Sequence, residues 1–158
     1  MRLWIYLFLF AGLFACKSSK KASTQAAFPE DFELTIQKTG CHGRCPVYFL
    51  SVSANGEVLY QGDAFVDKLG RYKKVLTQET LFALVSELEQ ANFWEMEEEY
   101  NNPAVMDLPS VITTCTMNGR TKKVVNRFEA PEIVSALQEK LDHLIGDGDY
   151  LPAEKSEK

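Results

Sequence analysis

The sequence predicts an α+β domain in which an antiparallel sheet of hairpins is covered by two helices. Two stretches of alternating apolar and polar residues are each interrupted by an Asn-Gly pair, at Asn55-Gly56 and Asn118-Gly119. Each is followed by a segment whose apolar residues recur every three or four positions, the period of an amphipathic helix. Such helices need a sheet face to cover, which makes an α+β layer the economical arrangement.

The elements follow in order. Phe32, Leu34 and Ile36 alternate with Glu33, Thr35 and Gln37, as in a half-buried strand. Val47 to Ala54 and Glu57 to Gly62 flank Asn55-Gly56, residue types that suit the positive φ angles of a type I′ turn. Gly70 to Leu76 reads as a further strand whose charges suit a sheet edge. Thr77 is a good N-cap, and Leu81, Leu84, Val85 and Leu88 then share one face opposite Glu79, Ser86, Glu87 and Gln90. Phe93 to Pro109 is irregular and holds the acidic cluster Glu95, Glu97, Glu98 and Glu99. Ser110 to Met117 and Arg120 to Phe128 form the second hairpin. Pro131 suits the first position of a helix carrying Val134, Leu137, Leu141 and Leu144, closed by Gly146.

Pro46 and Pro109 each precede their Asn-Gly pair by nine residues. Two accounts fit. The chain repeats a ββα unit, with an extra strand inserted before the first helix, or two hairpins share the commonest turn chemistry.

The core domain accordingly spans residues 28–146, and the chain of 158 residues has room for no second one. Ahead of it, Met1 and Arg2 precede the uncharged apolar run Leu3 to Phe14, which is shorter than the roughly 20 residues of a spanning helix. The run ends in Leu13-Phe14-Ala15-Cys16, which resembles the lipobox of bacterial lipoprotein signal peptides. That resemblance implies a signal peptide over residues 1–15, cleavage before Cys16, and fatty acylation of Cys16, palmitate included. Residues 16–27, polar and containing Lys17, Lys20 and Lys21, read as a flexible tether, and 147–158 as a disordered tail. No acidic residue directly follows Cys16. The expected location is therefore the cell envelope, on the periplasmic face of the outer membrane, with the lipid bilayer as a partner. A formal net charge of −5 and the lack of a basic run beyond the tether argue against nucleic acid.

Any chemistry is concentrated in Cys41-His42-Gly43-Arg44-Cys45-Pro46-Val47-Tyr48, where three readings of the cysteine pair are open. A disulfide suits an oxidising compartment, Gly43 permits the turn, and so short a loop would contribute on the order of 2 kcal/mol. A redox or copper site is the second reading, because C-x3-C-P resembles the copper-binding loop of the Sco-type assembly proteins. There the motif opens a helix and a distant histidine completes the ligand set. Here Pro46 to Phe49 leads into a strand and His143 lies on the polar face of the last helix. A zinc site from Cys41, His42, Cys45 and Cys115 is the third, though its spacing matches no familiar knuckle. Cys115, at the repeat position of Val52, reads as a small buried hydrophobe. Its pairing with Cys41 or Cys45 instead stays open.

Cys41, Gly43, Cys45, Pro46 and Tyr48, followed by Gly56 and Asp107-Leu108-Pro109, resemble the C-x-G-x-C-P-x-Y family of bacterial lipoproteins and secreted proteins carrying domain of unknown function 6438. The similarity covers about Phe32 to Ile145. It implies an extracytoplasmic α+β domain of unassigned activity. His42, Arg44, Tyr48 and Asp107 are the candidate binding residues, Tyr48 being expected to pack on the core face with its hydroxyl bonded. The glutamates at 95 and 97–99 read as a solvated face, since calcium loops need a Gly turn and regularly spaced oxygens. No Ser-His-Asp order, phosphate-cradling Gly loop or paired carboxylates stand out, so no catalytic residue, metal or cofactor is assigned. The leading expectation is a non-enzymatic envelope lipoprotein. It would bind a protein, glycan or small ligand through the cysteine turn and the Phe93 to Pro109 loop. The rival is a periplasmic thiol-redox or copper-handling protein.

Overall fold

A strand that buries every second residue needs neighbours that bury theirs at the same level, and the register of this sheet shows how that is met. The structure, a computed structural model, describes residues 27–153. The signal peptide, Cys16 and nearly all of the tether lie outside the described residues, as do residues 154–158. The described chain forms β1 (Glu33–Lys38), β2 (Val47–Ser53), β3 (Glu57–Ala64), β4 (Gly70–Val75), α1 (Gln78–Gln90) and a 3-10 turn (Phe93–Glu95). It continues through β5 (Glu99–Tyr100), β6 (Val111–Met117), β7 (Arg120–Asn126), α2 (Glu132–Gly146) and β8 (Leu151–Pro152). The strands make one sheet in the order β5-β7-β6-β1-β2-β3-β4-β8. Every pairing is antiparallel except that of β5 with β7. The α+β class expected from the sequence is the one observed.

Central β1 sets the level of the core. Leu34 stands opposite Val52 on one side and Cys115 on the other, and Ile36 opposite Leu50 and Thr113. All six are shut from solvent. Over them lie Leu81, Leu84 and Leu88 of α1 and Val134, Leu137, Leu141 and Ile145 of α2. The alternate residues of the same strands, among them Glu33, Gln37 and the half-exposed Thr35, Ser51 and Thr114, form the other face of the sheet.

Both helices cross the strands, in opposite directions. α1 starts beside β4, where the Thr77 hydroxyl accepts from the Thr80 N–H at 3.2 Å. It leads to Trp94, whose ring lies 4.7 Å from the Arg120 guanidinium of β7. α2 then returns from β7 toward β4, and Lys140 meets Glu87 of α1 at 2.7 Å. At the turn end of β1, Phe28 packs edge-on against Phe32 and Phe82, at ring-centre distances of 5.0 and 5.3 Å. There the Asp31 carboxylate accepts from the N–H groups of Asn118 and Gly119 at 2.8 and 2.6 Å, which holds it below the usual carboxylate range.

The two hairpins differ in a way their shared Asn-Gly conceals. Asn118 and Gly119 both have positive φ, 53° and 71°, in a two-residue turn of the expected type I′. In the first hairpin only Gly56 does, at 83°, and its N–H donates to the Ser53 carbonyl at 2.9 Å. Three residues close that turn, so the type I′ conformation expected at Asn55-Gly56 is not formed. A Cβ at Gly56 would also come within 2.8 Å of the Leu76 carbonyl oxygen. The residue entering the turn consequently faces outward in one hairpin (Ser53) and inward in the other (Met117), and the hairpins leave β1 on opposite sides. Since β2 and β6 run in the same direction with both helices on one face, the second ββα segment is a mirror arrangement rather than a copy.

The expectation of a tail from Asp147 needs correcting. Residues 147–153 lie against the sheet, with Leu151 and Pro152 paired to Lys73 and Tyr72 of β4. The Tyr150 hydroxyl donates to the Ile145 carbonyl at 3.0 Å. The acidic composition hid one aromatic anchor.

Because Leu34 sits between two fully buried neighbours with a helix above, Leu34→Ala is expected to cost roughly 2–5 kcal/mol in urea denaturation. A loss below about 1 kcal/mol would show that the core is not centred on β1.

Candidate functional site

One row beyond Ile36 the interior turns polar. Lys38 of β1 stands between Tyr48 of β2 and Val111 of β6, with Asn126 next to Val111 and Gly62 next to Tyr48. α2 lays Gln138 and Asp142 over this row, four residues apart and so on one face of the helix. Gln138, 4% exposed, is satisfied at both ends of its amide. It donates to the Val111 carbonyl and the Thr113 hydroxyl, both at 3.2 Å, and accepts from Asn126 at 3.0 Å. Asp142 accepts from the Tyr48 hydroxyl, at 2.6 and 2.7 Å to its two oxygens, and from the Lys38 ammonium at 2.8 Å. Burial, and then the bond to Asp142, push the Tyr48 phenol above its ordinary value. The hydroxyl therefore acts as a fixed donor.

Past Asp142 the helix ends and the chain folds back, placing the Tyr150 ring 5.6 Å from that of Tyr60. Tyr60 in turn lies 5.8 Å from Tyr48 and 6.1 Å from Tyr72. Between Tyr48, Tyr60, Tyr150, Phe65 and the end of α2 opens a cleft of about 370 Å3, within the range of small-molecule sites. Tyr48, Tyr60 and Asp142 line it together with Tyr150, Asp67, Lys68 and His143. Burial raises the phenols of Tyr60 and Tyr150 as well. The 65–69 loop closes over Gly62, where a Cβ would overlap the Lys68 carbonyl and lie 2.7 Å from the Tyr60 hydroxyl. Only glycine fits there.

The candidates from the sequence gather at this same end of the sheet but do not all enter the cleft. Cys41 and Cys45 are joined by a disulfide with Cα atoms 5.8 Å apart. The loop they close places the Arg44 guanidinium 5.7 Å from the ring centre of Phe65, on the wall of the cleft. Pro46 and Tyr48 line the cleft itself. His42 and Asp107 are exposed and stand outside it. Their backbones meet, the His42 N–H donating to the Asp107 carbonyl at 3.4 Å, while Thr39 and Ser110 exchange bonds of 3.0 and 2.8 Å. Asp107 takes a left-handed conformation, φ 63°, which aspartate tolerates better than most residues.

Cys115 is four residues from Lys38 in register, opposite Leu34, and fully buried. Neither its exchange into the disulfide nor its joining Cys41, His42 and Cys45 around zinc is realised. Burial pushes its thiol up to about 12, which leaves it unreactive. Glu95, Glu97, Glu98 and Glu99 are exposed, and among the described residues no three His, Cys, Asp or Glu side chains assemble as a metal-ligand set.

The sequence reading missed Lys38, Tyr60, Asp142 and Tyr150. A signal for Asp142 existed: Gln138 and Asp142 form a polar row at helical spacing beside Leu137 and Leu141. Tyr60 could have been read with Tyr48 as an inward-facing pair on neighbouring strands.

The family described as domain of unknown function (DUF6438) matches residues 32–145, and the chain belongs to it. No curated protein matches the chain. The matched span includes the disulfide, Tyr48, Tyr60 and Asp142 and stops short of Tyr150.

Two expectations follow from the geometry. A phenol held above its ordinary value stabilises the fold in its protonated form, a contribution fully present below about pH 10 and lost as pH rises further. Phenolate absorbance of the folded chain should therefore lag behind that of the urea-unfolded chain above that pH, and Tyr48→Phe should shrink the lag. Coincident curves would contradict the burial described. Gly62→Ala should lower stability by about 2 kcal/mol or more, whereas Gly40→Ala, whose Cβ would make only an ordinary contact with Val47 at 3.8 Å, should change little.

Proposed function

We propose that the chain is a lipid-anchored envelope protein, acylated at Cys16 and held at the periplasmic face of the outer membrane. Its domain would be a non-enzymatic module that binds a small ligand in the tyrosine cleft. The observation that carries the reading is the convergence of Tyr48, Tyr60, Tyr150 and Asp142 on one cavity of about 370 Å3. Aromatic walls with a few oriented polar groups are what ligand sites are built from.

The same geometry speaks against catalysis. Asp142 is already engaged by Lys38 and Tyr48, and the raised phenol of Tyr48 is a hydrogen-bond donor rather than a base. Cys115, the free thiol among the described residues, is sealed in the core. In this reading the disulfide braces the loop that leans on Phe65. The cysteine loop and the Asp107 stretch, bonded to each other, form an adjoining surface for a larger partner. The half-exposed placing of Cys41 and Cys45 beside Arg44 favours a second reading, a thiol-redox protein.

One preparation tests both. The full chain made in a bacterial host should incorporate labelled palmitate, lose it in Cys16→Ser, and fractionate with the outer membrane. Its Cys41–Cys45 bond should withstand glutathione in a thiol-labelling mass measurement. A cytosolic product with its initiator methionine intact would refute the anchoring. Ready exchange of the bond would transfer support to the redox reading.

A further inference from the structure

We infer that the tyrosine cleft is a site for a small organic cation, an alkylated ammonium group seated against the rings of Tyr60 and Tyr150 at the C-terminal end of α2. The inference rests on the proposed role of the cleft in ligand binding and names the class of ligand.

Three independent features give the cavity the same sign. The first is its walls. Tyr60, Tyr150 and Phe65 line it, and an aromatic face turned to a ligand offers the negative lobe of the ring quadrupole. The second is its carboxylates. Asp67, Asp142 and Asp147 line the cleft with Lys68 and His143, and Arg44 stands at its edge over Phe65. Lys38 approaches Asp142 from beneath, in β1, and is already bonded to it.

The third feature is the helix. α2 runs 15 residues and ends at Gly146 on the rim of the cleft. The carbonyl end of a helix carries partial negative charge, and His143 is the basic residue of its last turn.

The chain itself already places an ammonium in this environment. On β4, the Lys74 ammonium lies 4.7 Å from the ring centre of Tyr150 and donates to the Asp147 carbonyl. Lys74 does not line the tyrosine cleft, and burial holds its ammonium below the ordinary value against the pull of Asp147, so it shows an ammonium seated at the Tyr150 ring without occupying the site.

Alkyl substituents decide which cation. A bare metal ion needs several converging oxygen ligands around it, and among the described residues no such set assembles, whereas four aromatic side chains line the cleft. An ammonium carrying methyl or methylene groups buries those groups against the rings and keeps its charge close to the carboxylates.

The test uses the full chain, solubilised in a nonionic polyoxyethylene detergent, with tyrosine ring resonances as the reporter. Choline is titrated against its neutral isostere 3,3-dimethylbutanol and against N-acetylglucosamine. Choline should saturate the shifts of Tyr60 and Tyr150, and the isostere should bind about ten-fold more weakly or worse. Asp67→Asn, at an exposed position, should weaken choline several-fold and leave the isostere unchanged. Equal binding of choline and isostere overturns the cation assignment but keeps the cleft as a ligand site, as does saturation by the sugar alone. Silence of both tyrosines toward all three probes removes the cleft reading as well.

Discussion

The Asp142 carboxylate, held at the boundary between helix and sheet, is the constraint around which the functional end of this domain is arranged. A partly buried charge there must be met or it destabilises the fold. Its partners come from two adjacent strands, Lys38 of β1 and Tyr48 of β2. Both must therefore point to the helical side at the same level, which fixes their register. The same contacts fix where α2 stops along its own axis. Hydrophobic burial supplies most of the energy, on the order of 1.5–3 kcal/mol for each large core side chain against about 1 kcal/mol or less for a partly exposed ion pair. Apolar contacts alone, however, tolerate sliding. The seam from Asn126 through Gln138 to Asp142 selects one alignment of α2 on the sheet, and that alignment places the helix end beside Tyr60.

Much of the scaffold was legible because it is periodic. Leu34 and Ile36 announced a strand, Leu81, Leu84 and Leu88 a helix, and Asn-Gly two hairpins, each signal contained within a few neighbouring residues. What was not legible depends on distance along the chain. Asp142 meets Tyr48 across 94 positions, and nothing local marks that pairing. Tyr150 belongs to a stretch without periodic apolar residues, and its place is decided by the Tyr60 ring and the Ile145 carbonyl. The conformation at Asn55-Gly56 was lost for another reason. The dipeptide suits two turn lengths, and the choice between them is made by the strand register and by Leu76 crowding Gly56.

The cysteine loop illustrates how a local constraint becomes a tertiary one. The disulfide spans only residues 41–45 and lies outside the apolar core. It shapes the connection between β1 and β2, the two strands that carry Lys38 and Tyr48. It also holds Arg44 against Phe65 and, through the backbone of His42, steadies the Asp107 stretch. Three loops from distant parts of the sequence thus share one short covalent brace, and the aromatic cavity opens beside the first two of them.

The packing of Phe28 on Phe32 and Phe82 sets a polarity for the whole molecule. The described chain starts at the turn end of β1, whereas the cavity opens where β1 finishes, a separation of about 20 Å at roughly 3.3 Å per residue. Any holdfast acting through the residues ahead of Phe28 would pull on the end remote from the aromatic mouth.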